Sequence, residues 1–147
     1  MSKSANFLLI EDDMTDIKII NYVFKKANIN NCLCVVKTGE EALNYLKRGE
    51  PYDDENQYPP PDIILLDIKL PGMDGFDTAG RIRNMKKYRD IPIFVLTNSV
   101  RGEDVNKSFE SGANDYIPKP LTIESLVSSL SKINYSLSIL TGSGAKG

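Results

Sequence analysis

Charged and oxygen-bearing side chains stand directly after four of the apolar runs in this sequence. They are Glu11, Asp12 and Asp13 after the first run, Asp67 after the third, Thr97 after the fourth and Lys119 after the fifth. Carboxylates that are brought together repel one another unless a cation neutralises them. A small set of carboxylate oxygens favours Mg²⁺, which keeps several waters and shares the oxygens of a phosphate. With an ammonium and a hydroxyl beside it, such a set suits a phosphoryl group, because phosphoryl transfer needs mainly positioning and charge neutralisation.

The elements that must position these residues form an alternating pattern. Strands are predicted near residues 6–10, 32–37, 63–66, 91–96 and 115–117, and helices over about 14–28, 38–48, 75–85, 102–111 and 122–137. This alternation predicts an α/β fold, a doubly wound five-stranded parallel sheet with helices on both faces. Ligands of such sheets bind at the carboxyl ends of the strands. We therefore expect the polar residues to meet at one edge of the sheet.

Two aspartates are better explained as helix starts than as ligands. Asp13 precedes the first helical pattern and Asp74 lies in the turn before the third. A carboxylate at the N-cap accepts a backbone N–H that has no partner within the helix. The buried face of the first helix is predicted to carry Ile17, Ile20, Phe24 and Ala27, and that of the last helix Ile123, Leu126, Leu130, Ile133 and Leu137.

Composition excludes several classes of site and partner. The chain has no histidine, so it can form no Ser-His or Cys-His nucleophile pair and cannot itself carry a phosphohistidine. A net charge of −2 without a basic cluster argues against direct binding to nucleic acid. The apolar runs at 7–10 and 63–66 are far shorter than the ~20 residues of a membrane span. We therefore expect a cytoplasmic protein that binds neither nucleic acid nor membrane.

The elements predict one domain over residues 1–140, a length typical of single domains. Residues 49–61 contain four prolines and are predicted to form a loop, which is long for a compact domain. Residues 141–147 have no helical pattern and are expected to be a flexible tail. No output domain is expected after them.

Four short stretches contain most of these polar residues. They are 9–13 (LIEDD), 65–75 (LLDIKLPGMDG), 95–99 (VLTNS) and 116–120 (YIPKP). Each stretch alone is a weak signal, but their order and spacing together are highly specific. Over residues 5–137 the chain resembles the receiver domain of bacterial response regulators. The resemblance implies a stand-alone, single-domain response regulator of a two-component phosphorelay.

The resemblance also implies an acceptor and a metal site. Asp67 is expected to be the phosphoacceptor, whose carboxylate attacks a phosphohistidine of a sensor histidine kinase. Mg²⁺ is the expected cofactor. Its expected ligands are Asp12, Glu11 (directly or through water), Asp67 and the backbone carbonyl of Lys69.

Three further residues take roles in switching by the same resemblance. Lys119 would pair with the phosphoryl oxygens, and the peptide bond from Lys119 to Pro120 would be cis. Thr97 would move its hydroxyl onto the phosphoryl group, and Tyr116 would follow by turning inward. Asn98 stands where the family often has a smaller residue, and a larger amide there would alter access to the phosphoryl group.

The resemblance implies partners as well. The expected donor is a sensor histidine kinase. The small response regulators of phytochrome-type kinases have an extension similar to residues 49–61 of this chain, which favours a kinase of that type. Output is expected through a downstream protein or a phosphotransfer protein. A homodimer through the last two helices and the fifth strand is a further expectation, with the apolar residues Ile139 and Leu140 beyond them.

Other functions remain as alternatives. The main expectation is a signalling protein that catalyses only its own phosphorylation and dephosphorylation. A Mg²⁺-dependent phosphatase with an aspartyl nucleophile would carry a second aspartate two residues after the first, where this chain has Lys69. A binding module that never takes phosphate would usually lack one of the acids, the threonine or the lysine. A flavodoxin-like cofactor binder would need a Gly-rich loop after the first strand.

Overall fold

The computed structural model describes residues 5–27, 33–99 and 101–133. The elements in chain order are β1 (Phe7–Ile10), α1 (Met14–Lys26), β2 (Leu33–Val36), α2 (Gly39–Leu46), β3 (Ile63–Asp67), α3 (Gly75–Arg83), a 3₁₀ turn (Lys86–Tyr88), β4 (Ile93–Thr97), α4 (Gly102–Glu110), β5 (Asp115–Pro118) and α5 (Ile123–Lys132). The strands form one parallel sheet in the order β2-β1-β3-β4-β5. The predicted doubly wound α/β fold is confirmed.

The core lies on both faces of the sheet, because alternate residues of a strand point to opposite sides. Leu8, Ile10, Ile64 and Leu66 pack on the face covered by α2 and α3. Phe7, Leu9, Ile63 and Leu65 pack on the other face, where α1 and α5 lie. All the residues of β1, β3 and β4 are buried, as expected for central parallel strands. These strands therefore form a rigid base for whatever stands at their ends.

Helix starts agree with the sequence signals. The Asp13 carboxylate accepts the backbone N–H groups of Thr15 and Asp16, and the Asp74 carboxylate accepts that of Asp77. Thr122 caps α5 in a capping box with Ser125. Ile17, Ile20 and Phe24 are buried on α1, and Leu126 and Leu130 on α5, as predicted. Leu137, Ile139, Leu140 and the predicted tail at 141–147 lie outside the described residues.

Several element ends differ from the prediction. β4 begins at Ile93, because Pro92 has no N–H to donate and the Ile91 N–H bonds to the carbonyl of Tyr88 in the 3₁₀ turn. α2 stops at Leu46, before Arg48 takes a positive φ of 63°. β3 and β4 each run one residue further than predicted and so contain Asp67 and Thr97 themselves.

Residues 49–61 are a loop as predicted, but two of their side chains pack into the core. The rings of Tyr45 and Tyr52 lie 4.9 Å apart, as do those of Tyr52 and Tyr58. The Tyr52 hydroxyl donates to Glu41 Oε2 at 2.7 Å, and the Tyr45 hydroxyl donates to the carbonyl of Pro59 at 2.8 Å. The loop therefore covers α2 as a packed aromatic layer.

Within the described residues, no helix is long and apolar enough to cross a membrane.

Replacing Tyr52 with Phe tests this packed loop. Burial, together with the hydrogen bond to Glu41, raises the pKa of Tyr52 to about 12 from an ordinary value of 10.0. Because the folded-state pKa is raised, the stability linked to this group is fully present below pH 10.0 and is lost as the pH rises through about 12. We expect Tyr52→Phe to lower the free energy of unfolding by about 0.5–1.5 kcal/mol at neutral pH. The variant should also lose less stability than the parent between pH 9 and about 11, measured by urea denaturation.

Tyr22→Phe is the matched control, since Tyr22 is 62% exposed. Equal effects of the two substitutions would contradict the packing described for Tyr52.

Candidate functional site

The carboxyl ends of four neighbouring strands, β1, β3, β4 and β5, bring the predicted site residues to one edge of the sheet. Ile10 of β1 pairs with Leu66 of β3, so Glu11 and Asp67 stand side by side. The backbone N–H of Lys119, just after β5, donates to the Thr97 carbonyl at 2.8 Å. The parallel register therefore determines the juxtaposition that the sequence pattern predicts.

Lys119 lies at the centre of this edge. Its ammonium is 3.2 Å from Asp67 Oδ1, 3.0 Å from Glu11 Oε1 and 2.7 Å from Asp16 Oδ2. The side chain of Lys119 is only 9% exposed. The peptide bond from Lys119 to Pro120 is cis, as the resemblance implies. One cation thus contacts three carboxylates, of which Glu11 lies directly after β1, Asp67 in β3 and Asp16 in α1.

Asp16 is the member of this group that the sequence prediction missed. It lies in the first turn of α1, and its backbone N–H bonds to the Asp13 cap. Its partner Lys119 is 103 positions away in the chain. The only sequence signal was its position three residues after a predicted N-cap, which is a common place for an acid at any helix start.

Glu11, Asp12 and Asp67 form a set of oxygens suited to a divalent cation. One carboxylate oxygen of each lies within 4.8 Å of those of the other two. Glu11 Oε2 accepts the Asp13 N–H at 3.1 Å, whereas Glu11 Oε1 is buried and accepts no hydrogen bond from the described residues. Its 3.0 Å contact with Lys119 is an ion pair without hydrogen-bond geometry. Buried carboxylate oxygens beside the exposed Asp12 carboxylate fit a hard cation that keeps some of its waters.

Burial sets the charge balance of these groups. It raises the pKa of Glu11 to about 7, with the Asp67 carboxylate adding to the rise and Lys119 opposing it. Burial also raises the pKa of Asp67, against the attraction of Lys119. For Lys119, burial lowers the pKa, but the hydrogen bond to Asp16 and the ion pairs with Glu11 and Asp67 outweigh it and raise the pKa above its ordinary value. The ammonium therefore stays charged, while the carboxylates lack full compensation.

Gly75, at the start of α3, allows this helix to approach β3 closely. A Cβ placed on Gly75 would lie 2.4 Å from the Asp67 carbonyl oxygen and 2.7 Å from the Ile68 Cα. Both atoms belong to the backbone, so any side chain would displace the strand end that carries Asp67. Lys69 is an exposed residue of the segment between β3 and α3, and the role of its carbonyl remains a prediction.

Thr97 is buried at the end of β4, and its hydroxyl is engaged locally. It accepts the Ser99 N–H at 2.9 Å and donates to the Ser99 carbonyl at 3.1 Å. The Ser99 hydroxyl in turn donates to Asp104 Oδ2 at 2.7 Å, in the first turn of α4. Thr97 is thus joined to α4 through Ser99, while Asn98 between them is exposed.

Tyr116 is half-buried on β5, next to α4. Its ring meets the edge of Phe109 at a centroid distance of 6.2 Å and an angle of 88°. Phe109 is 45% exposed, and it is one of three large hydrophobic side chains that are exposed in the described part of the chain, with Met14 and Tyr22. The structure therefore places Tyr116 beside α4 and in register with Val95 of β4, close to the predicted switch residue Thr97.

The sequence matches the family described as response regulator receiver domain over residues 7–131. It is 32% identical over 130 residues to response regulator Rcp1 of Synechocystis sp., a match that covers 86% of each chain. The solved structure of the bacteriophytochrome response regulator RtBRR superposes with a TM-score of 0.78 at 32% identity, covering 90% of this chain and 79% of that one. The Mn²⁺-bound form of Rcp1 gives a TM-score of 0.70 at 31% identity, covering 83% and 86%. With its fold and motifs, the chain belongs to the response regulator receiver domain family and is homologous to the single-domain response regulators of two-component systems.

Proposed function

We propose that this chain is switched by phosphorylation of Asp67, with a phosphohistidine of a sensor histidine kinase as donor. The observation that supports this most is the pairing of a buried carboxylate at the end of β3 with the Lys119 ammonium at 3.2 Å, beside the oxygens of Glu11 and Asp12. These 147 residues contain no histidine, and we propose that the donor imidazole belongs to a partner.

The proposed step is a displacement at phosphorus. A carboxylate oxygen of Asp67 attacks the phosphorus atom, and the bond from phosphorus to the imidazole nitrogen breaks with its electron pair leaving on the imidazole. The ammonium of Lys119 neutralises the charge on the phosphoryl oxygens, which is the main contribution a protein makes to such a transfer. Gly75 allows the attacking carboxylate to stay at the strand end.

We infer that the divalent cation of this site is Mg²⁺. Glu11, Asp12, Asp67 and the backbone carbonyl of Lys69 would hold it, and the buried Glu11 Oε1 without a hydrogen bond supports this ligand set. When bound, the ion supplies charge neutralisation and orientation for the phosphoryl oxygens. Rcp1, with which this chain shares 31% identity in that comparison, has been solved in a Mn²⁺-bound form.

The reaction that we propose is confined to the protein's own phosphorylation and dephosphorylation. Lys69 takes the position two residues after Asp67, where an aspartyl phosphatase would carry its second acid. A protein of this kind signals by changing state rather than by turning over substrate.

Partners follow from the resemblance and from the face beside Thr97. Similarity to RtBRR and Rcp1 supports a phytochrome-type kinase as the donor. The face formed by α4, β5 and α5 is proposed to bind the downstream protein, a phosphotransfer protein or a second copy of this chain, rather than nucleic acid. Phe109 and Tyr116 on this face, joined edge to face, would report the state of Thr97.

Replacing Asp67 with Asn tests the acceptor. Incubated with Mg²⁺ and a small phosphodonor, the parent chain should gain one phosphoryl group that is stable in acid and labile in base, detected by mass spectrometry of the intact protein. Asp67→Asn should gain none, because an amide nitrogen or oxygen is a far weaker nucleophile than a carboxylate. Asp53→Asn, at an exposed acid of the loop, should behave like the parent. An adduct that persists in Asp67→Asn would show that Asp67 is not the phosphoacceptor.

Replacing Lys119 with Ala tests the proposed charge neutralisation. The rate of adduct formation should fall about 100-fold, the loss typical of removing one stabilising donor from a transition state. Because Lys119→Ala leaves buried carboxylates without their cation, Lys119→Arg serves as a second variant that keeps the charge. Lys119→Arg should fold and react at an intermediate rate. Circular dichroism checks the fold of both, and an undiminished rate in folded Lys119→Ala would contradict the proposal.

Replacing Thr97 with Ala tests the switch. Adduct formation on Asp67 should persist, because the Thr97 hydroxyl bonds to Ser99 and not to the acceptor. The response of the Phe109 and Tyr116 ring signals to a phosphoryl mimic, measured by NMR, should be lost. Thr97→Ser keeps the hydroxyl and should retain the response. The idea fails if Thr97→Ala shows the same ring shifts as the parent.

A further inference from the structure

Asp16 stands outside the group of acids that could hold a metal, yet it makes the shortest contact of the Lys119 ammonium. Within the described residues, the carboxylates placed to hold a metal ion together are those of Glu11, Asp12 and Asp67 only. Asp16 Oδ2 lies 2.7 Å from Lys119 Nζ, and of the three contacts of this ammonium only that with Asp16 has the geometry of a side-chain hydrogen bond. Its role is therefore tied to Lys119 rather than to a cation.

The position of Asp16 is fixed by the start of α1. The Asp13 carboxylate accepts the Asp16 N–H at 3.2 Å, so the first turn of α1 holds Asp16 beside the carboxyl ends of β1 and β3. The Asp16 side chain is 23% exposed, whereas those of Glu11 and Asp67 are 0% and 7% exposed. Asp16 is thus the most exposed of the three carboxylates that contact the ammonium.

Lys119 has three N–H donors, and one of them is directed at Asp16. A phosphoryl group on Asp67, whose carboxylate lies 3.2 Å from this ammonium, would need the same cation. A carboxylate and a phosphoryl group compete for a cation through the same kind of charge-assisted hydrogen bond.

We propose that Asp16 is a positioning residue that restrains Lys119 in the unphosphorylated state and competes with the phosphoryl group for its ammonium. This inference rests on the proposed phosphorylation of Asp67. Asp16 thereby lowers the affinity of the site for anionic phosphodonors and sets the amount of donor needed to switch the protein. A stronger bond from Asp16 to Lys119 means a higher threshold for phosphorylation.

The test compares Asp16→Asn with a control at an equivalent helix position. Asp77 occupies in α3 the place that Asp16 occupies in α1, since the backbone N–H of each bonds to the aspartate N-cap three residues before it. Asp77 is exposed and is not among the ion-pair partners of Lys119 in the described chain. Asp77→Asn therefore removes the same charge from the same type of helix position without touching the lysine.

Two quantities are measured with Mg²⁺ present: the dissociation constant of beryllofluoride by ¹⁹F NMR, and the rate of adduct formation against the concentration of a small phosphodonor. In Asp16→Asn the beryllofluoride dissociation constant and the half-saturating donor concentration should both fall about tenfold, as expected for a lost hydrogen bond between charged groups. The limiting rate should change much less, which a general loss of structure would not produce. Asp16→Glu restores the carboxylate and should return both values toward the parent, and Asp77→Asn should match the parent.

The proposal is overturned if Asp16→Asn binds beryllofluoride no more tightly than the parent, or if Asp77→Asn shows the same gain. In either case the parent still forms its adduct, so the acceptor role of Asp67 stands. A parent chain that neither binds beryllofluoride nor forms an adduct would overturn the acceptor role and this inference with it.

Discussion

The arrangement of the sheet edge depends on the single ammonium of Lys119. It contacts three carboxylates: Glu11 directly after β1, Asp67 in β3 and Asp16 in the first turn of α1. Removing one partner of a buried ion pair typically costs about 3–5 kcal/mol, because the remaining charge is left uncompensated. Lys119 therefore stabilises the carboxylates around the proposed phosphorylation site. Any change in its partners would affect the end of β1, the end of β3 and the first turn of α1 together.

The sequence predicts those features that depend on neighbouring residues. The uninterrupted apolar run at 63–66 predicts a central strand, because a strand covered on both faces needs apolar residues on both. The acids at 13 and 74 predict helix starts, because an N-cap bonds to backbone N–H groups of its own first turn. What it does not predict depends on contacts between distant residues. Asp16 meets a lysine 103 positions away, and Tyr52 packs on Tyr45 from a segment that the sequence predicts only as a long loop with four prolines. Neither contact leaves a periodic signal.

The strands at the site are held more firmly than the segment that joins β4 to α4. The strands that end in Asp67 and Thr97 are buried along their whole length, so their ends cannot shift without disturbing the core. Beyond them, Thr97 is linked to α4 by few hydrogen bonds. Two join Thr97 to Ser99, and one joins the Ser99 hydroxyl to Asp104 of α4. A few such bonds are weak compared with the core, so a new charge at Asp67 can rearrange them without unfolding a strand. Complete conversion of a two-state element from 1:99 to 99:1 needs about 5.5 kcal/mol, and a partial shift needs less.

The chain maintains buried acids at a cost to its own stability. Burial raises the pKa of Glu11 to about 7 from an ordinary value of 4.5, so the stability linked to this group is fully present below pH 4.5 and is lost as the pH rises through about 7. At neutral pH the folded protein thus carries a partly ionised acid whose Oε1 accepts no hydrogen bond from the described residues. An apolar residue would fit a core position more favourably, so stability alone does not account for Glu11. A cation that approaches from the side of the exposed Asp12 would relieve the same electrostatic cost, and this links the instability of the site directly to its proposed ligand.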